Sequence, residues 1–144
     1  MALRPELQEI VDDFADAPKE LRLAMLLEFA DGLPPLPDRL RQAGALDRVH
    51  ECQTPFFVTA EPLPGGRVDL WFDAPPEAPT TRGYAGVLRA GLSGGTRDEV
   101  LETPADFFTA MKLSELISPL RLRGMGAILG HIKRRVTGMG EAVS

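Results

Sequence analysis

The chain reads as an α+β fold, a small curved antiparallel sheet packed against several helices. Apolar residues recur at helical spacing up to Gly32, alternate with a period of two in the middle of the chain, and return to helical spacing after Pro79. No internal repeat and no long linker interrupts this order. Residues 1–144 are therefore expected to form a single domain, long enough to bury a core without metal or disulfide staples.

The first helix opens at Pro5. Leu7, Ile10, Val11 and Phe14 follow at i, i+3, i+4 and i+7, which is one helix face. Asp16 is expected to cap a second helix, with Pro18 just inside it. That helix carries a stripe of Leu23, Leu26, Leu27 and Ala30, widened by Leu21, Met25 and Phe29, and Gly32 ends it. Pro34, Pro35 and Pro37 make a stiff connector, and a short helical piece is expected from Asp38 to Ala43. Phe56–Glu61 and Val68–Asp73 read as strands. In the second, Val68, Leu70 and Phe72 alternate with Asp69, Trp71 and Asp73. Pro64-Gly65-Gly66 between them is a turn signal, which predicts an antiparallel hairpin. Leu46–His50 is a candidate third strand. An isolated hairpin is only marginally stable, so flanking helices must cover one face.

After Pro79, Gly83, Gly86 and Ala90 form a stripe of small residues that permits close backbone packing, while Tyr84, Val87 and Leu88 give bulk. Gly94-Gly95 breaks this helix. Thr96-Arg97-Asp98-Glu99 is a capping-box pattern opening a short helix. Thr103-Pro104-Ala105-Asp106 opens another, carrying Phe107, Phe108 and Met111. Ser118 caps the last helix, with Pro119 at its first position. Met125, Ile128, Leu129, Ile132 and Val136 are its buried stripe, and Gly138 is expected to end it.

Composition narrows the function. The net charge is −5, and the only dense basic cluster, Lys133-Arg134-Arg135, lies near the end of the last helix, where cations suit the macrodipole. Nucleic acid is set aside as a partner. No apolar run approaches the roughly 20 residues needed to span a membrane. The N-terminus lacks the basic start and apolar stretch of a secretory signal. A single cysteine precludes an internal disulfide. Together these point to the cytoplasm. One cysteine and two histidines, His50 and His131, are too few for an ordinary zinc or iron–sulfur ligand set, so no metal site is expected. Gly-rich phosphate loops, Gly-x-Ser-x-Gly elbows and Cys-x-x-Cys pairs are absent.

Three groups of residues can carry chemistry. Cys52 sits in Arg48-Val49-His50-Glu51-Cys52-Gln53-Thr54-Pro55. Free cysteines are often buried, but these polar neighbours favour an exposed loop thiol. His50 could activate that thiol, although a solvated loop histidine is the simpler reading. His131 reads as surface. Arg121 and Arg123 stand in the first turn of the last helix, against the macrodipole, and Arg82 follows Pro79 closely. Broken local rules can mark a functional site. Cations beside a thiol would lower its pKa; the alternative is that they pair with surface carboxylates.

The order of blocks resembles the SufE family of cysteine desulfuration proteins over about Leu7 to Arg135. The blocks are a helical pair ending at Gly32-Leu33-Pro34, the Cys-Gln block Val49-His50-Glu51-Cys52-Gln53-Thr54, the hairpin, Arg82-Gly83 at a helix start, and Ile117-Ser118-Pro119-Leu120-Arg121-Leu122-Arg123-Gly124-Met125. The last is similar to the family's Leu-Ser-Pro-x-Arg-x-x-Gly-Leu pattern. The resemblance implies that Cys52 accepts persulfide sulfur from a cysteine desulfurase, stimulating it, and passes sulfur towards an iron–sulfur scaffold. It implies that Arg121 belongs to the functional surface, as thiolate stabiliser or docking residue, with Gln53, Arg82, Arg123 and Gly124 toward the partner. It implies no cofactor of this chain's own, pyridoxal phosphate belonging to the desulfurase. One departure is Glu51, where the family commonly has glycine. A carboxylate there would oppose ionisation of the thiol.

Overall fold

The computed structural model describes residues 3–42, 44–52 and 54–143, without the side chains of 140–143. Helix α1 spans Pro5–Asp16 and α2 Lys19–Asp31, the first burying Leu7, Val11 and Phe14. Asp16 closes α1 instead of capping α2, whose N-cap is Pro18 without a side-chain hydrogen bond. The α2 stripe is also rotated from expectation. Leu26 and Ala30 are buried, but Leu21 and Leu23 are exposed and Arg22 turns inward. Its Nε and Nη2 donate to the carbonyls of Phe14 and Ala17 at 3.0 Å each, and its Nη1 to Glu115 at 2.8 Å. Those carbonyls lie at the end of α1, where the helix no longer supplies an N–H four residues ahead. A guanidinium, with five donors in a planar fork, satisfies them together.

Three strands follow: β1 Asp47–Arg48, β2 Phe57–Leu63 and β3 Arg67–Asp73. They form an antiparallel sheet in that order, with Val58 opposite Phe72 and Ala60 opposite Leu70. The predicted hairpin is present. Its turn takes Gly65 and Gly66 at φ +79° and +72°, a conformation that glycine adopts without strain. One sheet face, Val58, Ala60, Val68, Leu70 and Phe72, is buried. On the other, the guanidinium groups of Arg39, Arg89 and Arg135 meet Glu61, Asp69 with Trp71, and Thr59 respectively. The candidate third strand is present as the short β1. The piece after the prolines is a 3-10 turn at Asp38–Leu40; Ala43 lies outside the described residues.

Helix α3, Pro79–Leu92, packs along α2. A Cβ on Gly83 or Gly86 would overlap the main-chain carbonyl of Leu26 or Phe29, so two of the small residues are required by the close approach. Ala90 is exposed and is not the third. Gly91 is, lying against Leu7. Helix α4, Arg97–Leu101, opens with the expected capping box in both directions, Thr96 and Glu99 bonding each other's backbone N–H. Phe107–Met111 is a 3-10 segment and not an α-helix. Helix α5 runs Pro119–Val143 and buries its whole expected stripe. It passes through Gly138, where a Cβ would meet nothing within 4 Å. No described helix is long and apolar enough to cross a membrane.

Candidate functional site

The site is built where the loop between β1 and β2 meets the start of α5. Val49 and Phe56 are fully buried at the base of that loop, and the Val49 N–H donates to the Phe56 carbonyl at 2.8 Å. Between them the chain turns back, with the Cys52 N–H donating to the Val49 carbonyl at 3.2 Å. Cys52 is carried at the tip, half-buried against the core. The exposed thiol expected from its polar neighbours is thus only partly present, because α5 passes directly beneath.

The underlying contact is made by Gly124. A Cβ there would stand 3.3 Å from the Cys52 Sγ and 3.5 Å from the Glu51 carbonyl. The helix start that presents Gly124 is the Ser118-Pro119 signal read from the sequence, and the Ser118 hydroxyl accepts from the Arg121 N–H at 3.4 Å. Glu51, Cys52, Thr54, Glu77, Ala78, Thr81, Leu120, Arg121 and Gly124 enclose a cavity of about 50 Å3 beside the thiol. Arg121 and Cys52 therefore share one cavity, from the two sides of the loop–helix junction.

The electrostatics run against the expected activation. Burial, and then the Glu51 carboxylate, push the Cys52 thiol up to about 11. At that value about one thiol in ten thousand is ionised at neutral pH. In this arrangement Arg121 points one Nη to the Thr80 hydroxyl, at 3.1 Å, and does not offset the rise. Glu51 itself is held below the ordinary carboxylate range by its own backbone N–H and then by His131. A carboxylate only accepts, so the His131 Nε2–H donates across the 3.1 Å separation.

The other expected site residues lie apart. Gln53 falls outside the described residues. Arg82 follows Thr81, which lines the cavity, but its guanidinium donates to the Ala74 carbonyl at 2.8 Å and faces a different hollow, with Phe57 and Asp73. Arg123 stands two residues beyond Arg121, in the second turn of α5. It borders a separate apolar groove with Phe108 and Leu122. His50 is exposed, as the simpler reading of it held. His131 is not merely surface. It is the partner of Glu51, with a side chain only 15% exposed. A signal for it was available: Gly124, Ile128 and His131 fall at i, i+4 and i+7, so a glycine facing the cysteine places His131 two turns further along the same face. Among the described residues no three His, Cys, Asp or Glu side chains converge as metal ligands.

Known proteins share this arrangement of elements. A family model described as SufE, the Fe-S metabolism associated domain, matches residues 8–136. A SufE-like protein of Mycobacterium tuberculosis is 48% identical over 135 residues, 94% of each chain. The cysteine desulfuration protein SufE of Plasmodium vivax is 25% identical over 135 residues, which are 91% of this chain and 52% of that protein. The solution structure of a hypothetical protein from Thermus thermophilus superposes with a TM-score of 0.85 at 44% identity, covering 95% of this chain and 97% of that one. The matched span takes in the cysteine loop and the first turns of α5. By this match of sequence and fold, the chain belongs to the SufE family, whose domain is associated with Fe–S metabolism.

Proposed function

We propose that this protein accepts sulfur from a cysteine desulfurase onto Cys52, stimulates that enzyme, and passes the sulfur towards an iron–sulfur scaffold, in the reducing cytoplasm. The observation that carries the reading is the placement of the chain's one thiol in a loop tip beside the cavity that holds Arg121. In the transfer, the Cys52 thiolate attacks the terminal sulfur of the desulfurase persulfide. A sulfur–sulfur bond forms on Cys52, the partner's sulfur–sulfur bond breaks, and the partner cysteine leaves as thiolate. No external oxidant or reductant is needed, since the transferred sulfur keeps its oxidation level. No cofactor of this chain's own enters the step, and residues 1–144 act as one SufE-like domain.

The high resting pKa of the thiol sets a condition on this chemistry. Cys52 has to leave its seat on Gly124 before it is both ionised and within reach of another protein. Arg121 supplies a cation at the mouth from which the loop lifts. Arg123 and Gly124 on α5, with Gln53 and Arg82, are the neighbouring groups proposed to meet the desulfurase. The same high pKa favours a second reading, a module that binds and regulates a desulfurase without carrying sulfur.

Incubation with a candidate desulfurase and L-cysteine separates the two. Mass spectrometry should find added sulfur on Cys52. Cys52→Ser should keep its melting temperature and its affinity for the desulfurase, and lose stimulation of sulfide release, because serine cannot form a persulfide. Full stimulation by the serine variant would leave only the regulatory module.

A further inference from the structure

Among its described residues, the tip of the cysteine loop is tied by its side chains to the rest of the molecule at one polar point. Among the described residues, the bond from Glu51 to His131 is the one side-chain hydrogen bond that links residues 50–55 to another element. It lies immediately beside Cys52. Helix α5 therefore grips two successive loop residues, Glu51 by a hydrogen bond and Cys52 by the bare backbone of Gly124. The two halves of the bond differ. His131 is carried on a long helix with its side chain 15% exposed, whereas Glu51 is 53% exposed on a loop. The histidine is the more firmly anchored half, and the glutamate is the more exposed one. Arg134, one turn beyond His131, adds its attraction to the Glu51 carboxylate.

We infer that the Glu51–His131 pair is a latch that positions the cysteine loop on α5, so that breaking this one bond releases the Cys52 thiol. The physical reason is the connectivity. Consecutive Cα atoms are about 3.8 Å apart, so holding the Glu51 carboxylate on His131 restricts how far Cys52 rises from Gly124. The latch also accounts for the carboxylate at position 51. The same carboxylate that opposes ionisation of the neighbouring thiol holds the loop on α5 through His131. The inference builds on the acceptor role proposed for Cys52, but its test does not need a desulfurase.

The test is the rate at which iodoacetamide alkylates Cys52 in the full-length protein at one mildly alkaline pH. His131→Ala should speed the reaction about three- to tenfold, the scale supported by one charged hydrogen bond at a partly exposed site. His131→Gln should react at the wild-type rate, because its side-chain amide N–H replaces the Nε2–H. Glu51→Ala should also react faster. In the Glu51→Ala background, His131→Ala should add nothing, since the two residues act through one bond. The inference is overturned if His131→Ala reacts like wild type, if His131→Gln is accelerated as much as His131→Ala, or if His131→Ala is equally accelerating without Glu51. The last outcome would identify a general loosening of the fold. If Cys52 proves not to carry sulfur, these rates remain readable. If the latch fails, persulfide formation is still judged by mass spectrometry.

Discussion

Replacing Gly124 by alanine probes the junction on which the site depends. The position lies inside helix α5, where alanine is favoured over glycine by about 0.8–1 kcal/mol. The added methyl would meet the Cys52 Sγ at 3.3 Å, with the Glu51 carbonyl and the Cys52 Cα next at 3.5 and 3.6 Å. Carbon contacts are comfortable at about 3.5–4.0 Å, so only one contact is short, and by a few tenths of an ångström. The neighbour that must yield is a loop tip. The cost therefore falls below the roughly 1–3 kcal/mol of an overpacked core. Gly124→Ala should leave stability unchanged or raise it by up to about 1 kcal/mol, while lifting Cys52 and quickening its alkylation. Gly83→Ala provides the contrast. There a methyl would overlap the Leu26 carbonyl of a packed helix, with the Leu26 Cγ at 2.8 Å. Helices α2 and α3 would have to separate, costing about 3 kcal/mol or more. Urea unfolding at constant m-value measures both. A loss above about 1 kcal/mol for Gly124→Ala, or a thiol no more reactive than wild type, would refute the argument by showing the loop tip to be as unyielding as the α2–α3 contact.

Three further outcomes are expected. The folded pKa of Cys52 is raised from its ordinary 9.0 to about 11, so between these values the folded state holds more protons than the unfolded one. Stability should fall as pH rises through that window, and Cys52→Ser should flatten the fall in a pH series of urea midpoints. An unaltered slope in the serine variant would show that another group is responsible. The Tyr84 hydroxyl is fully buried beside Phe107 and Phe108 without a hydrogen-bond partner among the described residues. Tyr84→Phe should gain about 1 kcal/mol by removing an unsatisfied group, and a loss in thermal unfolding would reveal a partner for it. Arg22→Ala should cost about 2–3 kcal/mol, since it removes the side-chain donors to the Phe14 and Ala17 carbonyls together with the packing of a long side chain. Arg22→Lys should recover only part, because an ammonium cannot reproduce the planar fork.

What could be read from the sequence was whatever depends on residues close to one another in the chain. The alternation in Val68–Asp73, the paired glycines of the hairpin turn, the capping box at Thr96–Glu99 and the Ser118-Pro119 helix start each act over a few residues, and each is found where it was expected. The lone thiol, its loop and the Arg121 helix start were legible for the same reason, and the order of these blocks already resembled the family to which the chain belongs. Tertiary packing decided the remainder. Helix α2 is apolar on nearly every side, so its periodicity cannot say which face goes inward. The Phe14 and Ala17 carbonyls at the end of α1 settled that by drawing in Arg22. Gly138 does not end α5, which continues past it to Val143 with the glycine facing open space. The charge state of Cys52 was the least accessible of all. It depends on burial against Gly124, 72 positions away in sequence, and on a carboxylate whose own partner, His131, is 80 positions away. Ionisation responds to desolvation and to charges a few ångströms off, and the sequence alone holds neither of these distances.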